Sequence, residues 1–393
     1  FKEWLNREFR DIYEIRRKDY LIMPVYWSMM IATAIIGILC YGISSKKVIV
    51  EGKETTRVRI GFVVVLVAYI VFFIGFRDKV LDTGAYISSF KSMPTDFTGL
   101  FLYLETLDSG KAFYFLSAVF KMFISDNYYA WLFFLAIVSC GCLFRTIYKY
   151  SIDFPLSAYL FIATTTFTWL LNGTRQFLVV CILFGFVEWI IEGKKIRYIL
   201  LALALTTIHS SAIFMAVIVL FIEVNQTFTK KTIFFIGLTV VGTYYSEQVF
   251  EFLGETSESL NYADTMAIDG GSNIFRLIVA SVPIIIVLLN YRNVKKIAPP
   301  SINVAINMSL IGICFYFAAT FTNGVLVGRM PIYFTVYNLY LLPWVIRNCF
   351  TKNSRKIVWV LCVVSYLVYF YYQMCIAWDG LMYVSKFLKL EFL

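Results

Sequence analysis

Asn172-Gly173-Thr174-Arg175-Gln176 is a short polar turn set between two strongly apolar runs, 155–171 and 177–191. Asn172 and Gly173 both tolerate the left-handed backbone that closes a helix. Thr174 is suited to cap the next helix, which puts Arg175 in its first turn. Apolar helices joined by so short a polar turn place the bend at a membrane boundary. A cation at a helix N-terminus has the wrong sign for the helix dipole, and charge at a membrane edge is costly. An anion held jointly by the guanidinium and the free backbone N–H groups relieves both problems. The competing reading is a boundary arginine whose stem snorkels to the headgroups.

Composition extends this to the whole chain. Of 393 residues, 60% are hydrophobic and only 15% charged, against roughly a quarter charged in soluble domains. A polytopic membrane protein follows. The net charge of +10 belongs mostly to cytoplasmic connections and does not argue for nucleic-acid binding. All eight cysteines lie in or beside apolar runs, without a CxxC or Cys/His cluster. No nucleotide-binding glycine pattern is visible, so neither a metal nor a cofactor is expected.

Residues 1–20 alternate apolar and basic faces at helical spacing and read as an amphipathic interfacial helix. Apolar runs follow at 21–43, 59–76, 128–144, 155–171, 176–191, 232–246, 273–290, 302–321, 331–346 and 357–374. The connections 44–59, 145–153, 192–197, 225–231, 291–300 and 347–356 are basic, which places them in the cytoplasm; 77–127 and 247–272 are acidic and form extracytoplasmic loops. The run 198–223 has basic flanks at both ends. It reads as a re-entrant pair of half-helices, 198–208 and 211–223, broken at His209-Ser210-Ser211. Each half is too short to cross at 1.5 Å per residue; a single continuous span is the alternative. The basic N-terminal helix then falls outside, against the charge rule, and turning over the first two spans with an extra one at 111–124 would repair that. The fold expected is an all-α polytopic membrane protein, about ten transmembrane helices plus a re-entrant helical hairpin. One transmembrane domain, 21–375, is followed by an interfacial tail, 376–393.

Beyond the N-terminal helix, four arginines lie on the outer side: Arg77, Arg175, Arg276 and Arg329. The last three sit at outward helix N-termini. Arginine suits bidentate oxyanion recognition better than lysine, so the set, with Asn172 and Gln176 beside Arg175, points to a diphosphate or similar headgroup. Asp78 and Asp82 are spaced i,i+4 and would share a helix face; either is a candidate base or an ion-pair partner for the arginines. His209 is the only histidine and the one side chain that titrates near neutrality, hence a candidate general base. A hydrogen-bonded core histidine is the plainer reading. Tyr128-Tyr129 and Tyr244-Tyr245 could stack on sugar rings or belong to interfacial belts.

These residues resemble a known family. An Arg/Asp segment runs to Asp82, Tyr86 and Phe90; Asn172, Arg175 and Gln176 open a run; His209-Ser210-Ser211-Ala212 follows another; and Gly328-Arg329 precedes a late one. Together they are similar to the EpsG-like branch of the Wzy-type polysaccharide polymerases. The resemblance implies a GT-C-like glycosyltransferase at the outer face of the bacterial cytoplasmic membrane. It would move a growing glycan from undecaprenyl diphosphate onto an incoming lipid-linked oligosaccharide repeat, making capsular polysaccharide, exopolysaccharide or O-antigen. A flippase and a chain-length regulator of the same route are the implied partners, besides membrane lipids. Two other classes remain open: a flippase or exporter of lipid-linked oligosaccharide, and a membrane O-acyltransferase with a histidine base.

Overall fold

The computed structural model describes residues 24–43, 45–50, 53–245, 271–322, 327–377 and 381–390. The helix expected at 1–20 and nearly all of the loop expected at 247–272 lie outside them. Over the described residues the apolar runs are built of helical segments, because in lipid the backbone must satisfy its own polar groups.

Four helices are long and apolar enough to cross a membrane: α1 (Pro24–Ile43), α6 (Tyr128–Tyr150), α15 (Pro300–Phe321) and α18 (Lys352–Tyr372). A fifth is α13 (Ile274–Leu289) taken with α14 (Tyr291–Ile297), although the pair bends by 86°. This is a membrane protein, but length and apolarity support four to five crossings where about ten were expected. The difference has a physical cause. The run 155–171 breaks after α7 (Phe154–Ala163), where Thr165 takes φ 58, and resumes as a 3-10 turn, Thr166–Leu170. The run 176–191 divides into α8 (Thr174–Gly185) and α9 (Val187–Ile191), and 331–346 into α16 (Ile332–Thr335) and α17 (Asn338–Cys349). These interrupted helices form the core. All ten residues of α7 and eight consecutive residues of α17 are buried, so their freed backbone groups are satisfied by protein rather than exposed to lipid.

Two of the longer helices, α1 and α18, flank that core. Ile31, Ile35 and Ile38 on α1, and Ile357, Leu361, Val364 and Val368 on α18, form exposed stripes at helical spacing. Such stripes belong against acyl chains. α2 (Ile60–Gly75) packs along α6, and α6 along α8.

Two connections differ from expectation. The basic stretch 44–59 carries a two-stranded antiparallel hairpin, β1 (Ser45–Val50) with β2 (Lys53–Val58), in keeping with its Val, Ile and Thr content. The acidic stretch 77–127 folds as three short helices, α3 (Thr83–Ser92), α4 (Phe97–Glu105) and α5 (Lys111–Phe123), held down where Phe90 stacks on Trp131 at 4.7 Å. Residues 198–223 form a hairpin of α10 (Lys195–Leu205) and α11 (Ile213–Ile218). Its ends meet where Lys195 Nζ donates to the Ile222 carbonyl at 2.5 Å.

The tail bridges back onto the end of α2: Val384 pairs with Lys79, and the Tyr383 hydroxyl donates to the Phe73 carbonyl. Asp78 locks this junction. Its carboxylate accepts from the Tyr128 hydroxyl at 2.6 Å, the Tyr129 hydroxyl at 2.8 Å and the Lys386 N–H at 2.7 Å. Asp78→Ala should strand three donors, costing about 2 kcal/mol. It should lower the thermal midpoint in detergent and expose the tail to limited proteolysis, whereas Asp82→Ala should change neither. Equal behaviour of the two variants would remove the clamp from the account.

Candidate functional site

The central turn is built by the break in 155–171. The Asn172 N–H donates to the Thr168 carbonyl at 2.8 Å. Gly173 then takes φ 76, and a Cβ there would sit 3.1 Å from the Trp169 ring; only glycine fits this left-handed close approach. Thr174 is the first residue of α8 rather than its cap. Its hydroxyl faces backward, receiving Arg77 Nη2 at 3.3 Å.

Arg77 lies beneath the turn, 1% exposed. Nε donates to the Thr83 hydroxyl at 3.0 Å and Nη1 to the Ile74 carbonyl at 2.6 Å. The Thr83 hydroxyl in turn donates to the Leu171 carbonyl. No carboxylate pairs with Arg77 among the described residues. Burial lowers its pKa to about 10, so it stays charged at neutral pH. With its donors taken internally, Arg77 positions the start of α8.

Arg175 stands on that start. Its guanidinium carbon lies 5.4 Å from the centre of the Tyr114 ring, a cation–π contact, and Nη1 packs so closely on Gly110 that a Cβ there would overlap it. Gly110 takes φ 72 and opens α5. The Ala112 N–H donates to the Thr207 carbonyl at 3.1 Å, tying α5 to the hairpin two residues before His209. Arg175 Nε, Asn172 Oδ1 and Gln176 Oε1 are buried without hydrogen-bond partners, a concentration of unmet polar atoms in one turn that a native core avoids. Gln176, 3% exposed, uses its amide N–H to donate to the Arg329 carbonyl at 3.1 Å.

His209 occupies the hairpin tip. Its Nδ1 is 2.7 Å from the Ser211 hydroxyl, which is 2.9 Å from the buried Tyr333 hydroxyl. Burial first, then the charges of Arg175 and Arg329, pull the imidazole down to about 4. At neutral pH it is an uncharged base within the field of two cations.

Arg77, Arg175, Gln176, Arg329 and His209 thus gather at one end of the bundle, with Asn172 in the same turn. Asp78 and Asp82 do not share a helix face, because α3 begins only at Thr83; Asp82 is exposed at its N-terminus. Arg276 lies in the first turn of α13 and lines a separate cavity that shares Trp169 with the turn. Tyr114, Gly110, Thr83 and Tyr333 were not singled out from sequence. Only Gly110, a glycine following Asp108-Ser109, carried any local signal, that of a turn.

Residues 60–385 match the model of the EpsG family. No curated protein and no solved structure matches the chain. The matched span runs from α2 to the tail and contains every residue of the site just described. The chain belongs to the EpsG family, whose members are tied in general to polysaccharide polymerisation.

Proposed function

We propose that the protein polymerises undecaprenyl-diphosphate-linked oligosaccharide repeats at the outer face of the bacterial cytoplasmic membrane. In this reading the hairpin α10–α11 is re-entrant, with His209 at its tip, in a GT-C-like bundle of about ten crossings. The observation that carries the reading is the pairing of Arg175, with its buried unpartnered Nε, and Arg329 around a neutral His209.

His209 takes the proton from an acceptor hydroxyl. That oxygen forms a bond to the anomeric carbon of the donor glycan as the bond from that carbon to the diphosphate oxygen breaks. Undecaprenyl diphosphate departs with the electron pair, its charge met by Arg175 and Arg329 in a preorganised, poorly hydrated site. Binding also tunes the base. The diphosphate offsets the two cations that add to the effect of burial on His209, so its pKa rises toward the range where general bases work best. Arg77 acts through Thr174 as a positioning residue, and Asp82 is the remaining candidate base. A flippase and a chain-length regulator would supply the repeat and limit the product.

Proteoliposomes given a defined lipid-linked repeat should yield a ladder on a gel. A translocated but unextended lipid would instead mean a flippase, and an acylated repeat an acyltransferase. Arg175→Ala and His209→Ala should each cut elongation by at least about 100-fold with insertion intact, and Arg175→Lys should not restore it. Normal elongation by His209→Ala would remove histidine as the base.

The pH profile separates free from bound enzyme. Since His209 works unprotonated, kcat/KM should hold across neutral pH and fall only as pH drops toward about 4. The acid limb of kcat should lie at higher pH; coincident limbs would contradict coupling of the base to the diphosphate.

Gly110→Ala should behave like loss of Arg175, since the new Cβ occupies the guanidinium's place. Its signature is a ladder that fails at unchanged protein level; unimpaired elongation would free Arg175 from that contact.

A further inference from the structure

A neutral imidazole has one lone pair to offer a proton, and the surroundings of His209 decide which ring nitrogen holds it. Local folding puts a hydroxyl against that ring. His209 is extended, φ −148 and ψ 119, and the Ala212 N–H donates to its carbonyl at 3.0 Å, closing the 3-10 turn Ser210–Ala212. The turn folds Ser211 back onto the imidazole, with Oγ 2.7 Å from Nδ1. On its other side Oγ lies 2.9 Å from the Tyr333 hydroxyl. Tyr333 belongs to α16, which packs on α15 and α8, and its neighbour Phe334 stacks on Phe315 of α15 at 5.4 Å. The tyrosine end of this chain is therefore fixed by the core and the histidine end by the hairpin.

The hydrogens along the chain have one satisfactory order. Tyr333 is 2% exposed, and among the described residues its hydroxyl meets no hydrogen-bond acceptor other than Ser211 Oγ. A buried O–H that fails to donate bears its full desolvation cost, so Tyr333 donates to Ser211. A serine hydroxyl has one hydrogen and two lone pairs. Oγ could accept a second time, from an Nδ1–H, only by turning its own hydrogen away from both neighbours, and no acceptor among the described residues receives it there. Ser211 accordingly donates to Nδ1, and the ring hydrogen sits on Nε2.

That order has a consequence for the chemistry. The basic nitrogen already faces Ser211, so a substrate hydroxyl cannot approach it directly. Ser211 is only half-buried, and its second lone pair is open to such a hydroxyl.

We propose that Ser211 relays the proton of the acceptor hydroxyl to His209, and that Tyr333 is the positioning residue that sets the direction of the chain. The inference rests on the polymerase reading for the identity of that hydroxyl. As the acceptor O–H bond breaks, its proton goes to Ser211 Oγ while the Ser211 hydrogen passes to His209 Nδ1. Ser211 ends as the hydroxyl it began as, and the imidazole ends as the cation. The acceptor oxygen places its freed electron pair in the new bond to the anomeric carbon, and the diphosphate leaves with the pair of the bond it breaks.

Nitrogen-15 NMR of the full chain in lipid nanodiscs, labelled at histidine and purified without a histidine tag, reads the tautomer directly, because the sequence contains a single histidine. Wild type near neutral pH should carry hydrogen on Nε2 and none on Nδ1. Tyr333→Phe frees Ser211 to accept, and should raise the share of the Nδ1–H form by about tenfold, the factor set by one hydrogen bond. A hydroxyl with a purely structural role would alter the thermal midpoint and leave the tautomer alone. Ser211→Ala should cut elongation of a lipid-linked repeat by at least about 100-fold, and Tyr333→Phe by about tenfold. Hydrogen on Nδ1 in the wild type would overturn the relay, as would an unchanged tautomer ratio in Tyr333→Phe or full elongation by Ser211→Ala. The relay and the polymerase reading fail separately. Nδ1–H in a wild type that makes a normal ladder removes the relay alone. The expected tautomer and its response to Tyr333→Phe, without a ladder from the wild type, remove the polymerase reading and leave the hydrogen-bond chain in place.

Discussion

A buried guanidinium holds this end of the molecule together. Arg77 carries a full charge out of solvent with no carboxylate beside it among the described residues, so its desolvation must be offset by oriented neutral acceptors. It has the carbonyl of Ile74, in the last turn of α2 where the helix dipole is negative, and the hydroxyls of Thr83 and Thr174. Those three groups belong to three different elements. Satisfying one cation therefore fixes the end of α2, the start of α3 and the start of α8 relative to one another. Arg175, the next residue along α8, inherits that placement.

The same economy explains the architecture. Interrupted helices in lipid expose backbone groups that nothing can satisfy, so α7, α8 and α17 occupy the centre beside the buried first half of α15, and the uninterrupted α1 and α18 carry apolar faces outward. The breaks cost regular hydrogen bonds but supply what a smooth bundle lacks: polar turns and a hydroxyl-lined cavity inside an apolar protein. The Asn172–Gln176 turn and the adjoining cavity both arise from the single break in 155–171, with Trp169 between them.

Charge is distributed to match. On the expected cytoplasmic side, Arg145 and Lys149 are paired with Glu188, and Lys231 with Glu223. Around His209 no acid neutralises the arginines among the described residues. An uncompensated positive region at a hairpin tip is unfavourable in the empty protein and becomes favourable once an anion arrives. In the proposed reaction, that is the sense in which the site is preorganised for a departing diphosphate.

The sequence by itself determined that the chain lies in a membrane, that it is helical, and that a polar turn at Asn172-Gly173 carries an arginine. Apolar run length, charge asymmetry and glycine chemistry are local properties and do not depend on the partner. The hairpin around His209 was legible for the same reason, since its halves are too short to span. The number of helices long enough to cross was not, because hydropathy cannot distinguish a run that faces lipid from one interrupted and buried among other helices. Only tertiary structure decided the division of labour among the polar residues. Asp78 reads identically to Asp82 in the sequence, yet the folded tail and two tyrosines consume its oxygens while Asp82 stays exposed. Arg77 reads like Arg175, yet one is sealed beneath the turn and the other lies over Tyr114. Which arginine is sealed in and which stands over a ring depends on contacts 97 and 61 residues apart, and no local pattern encodes those.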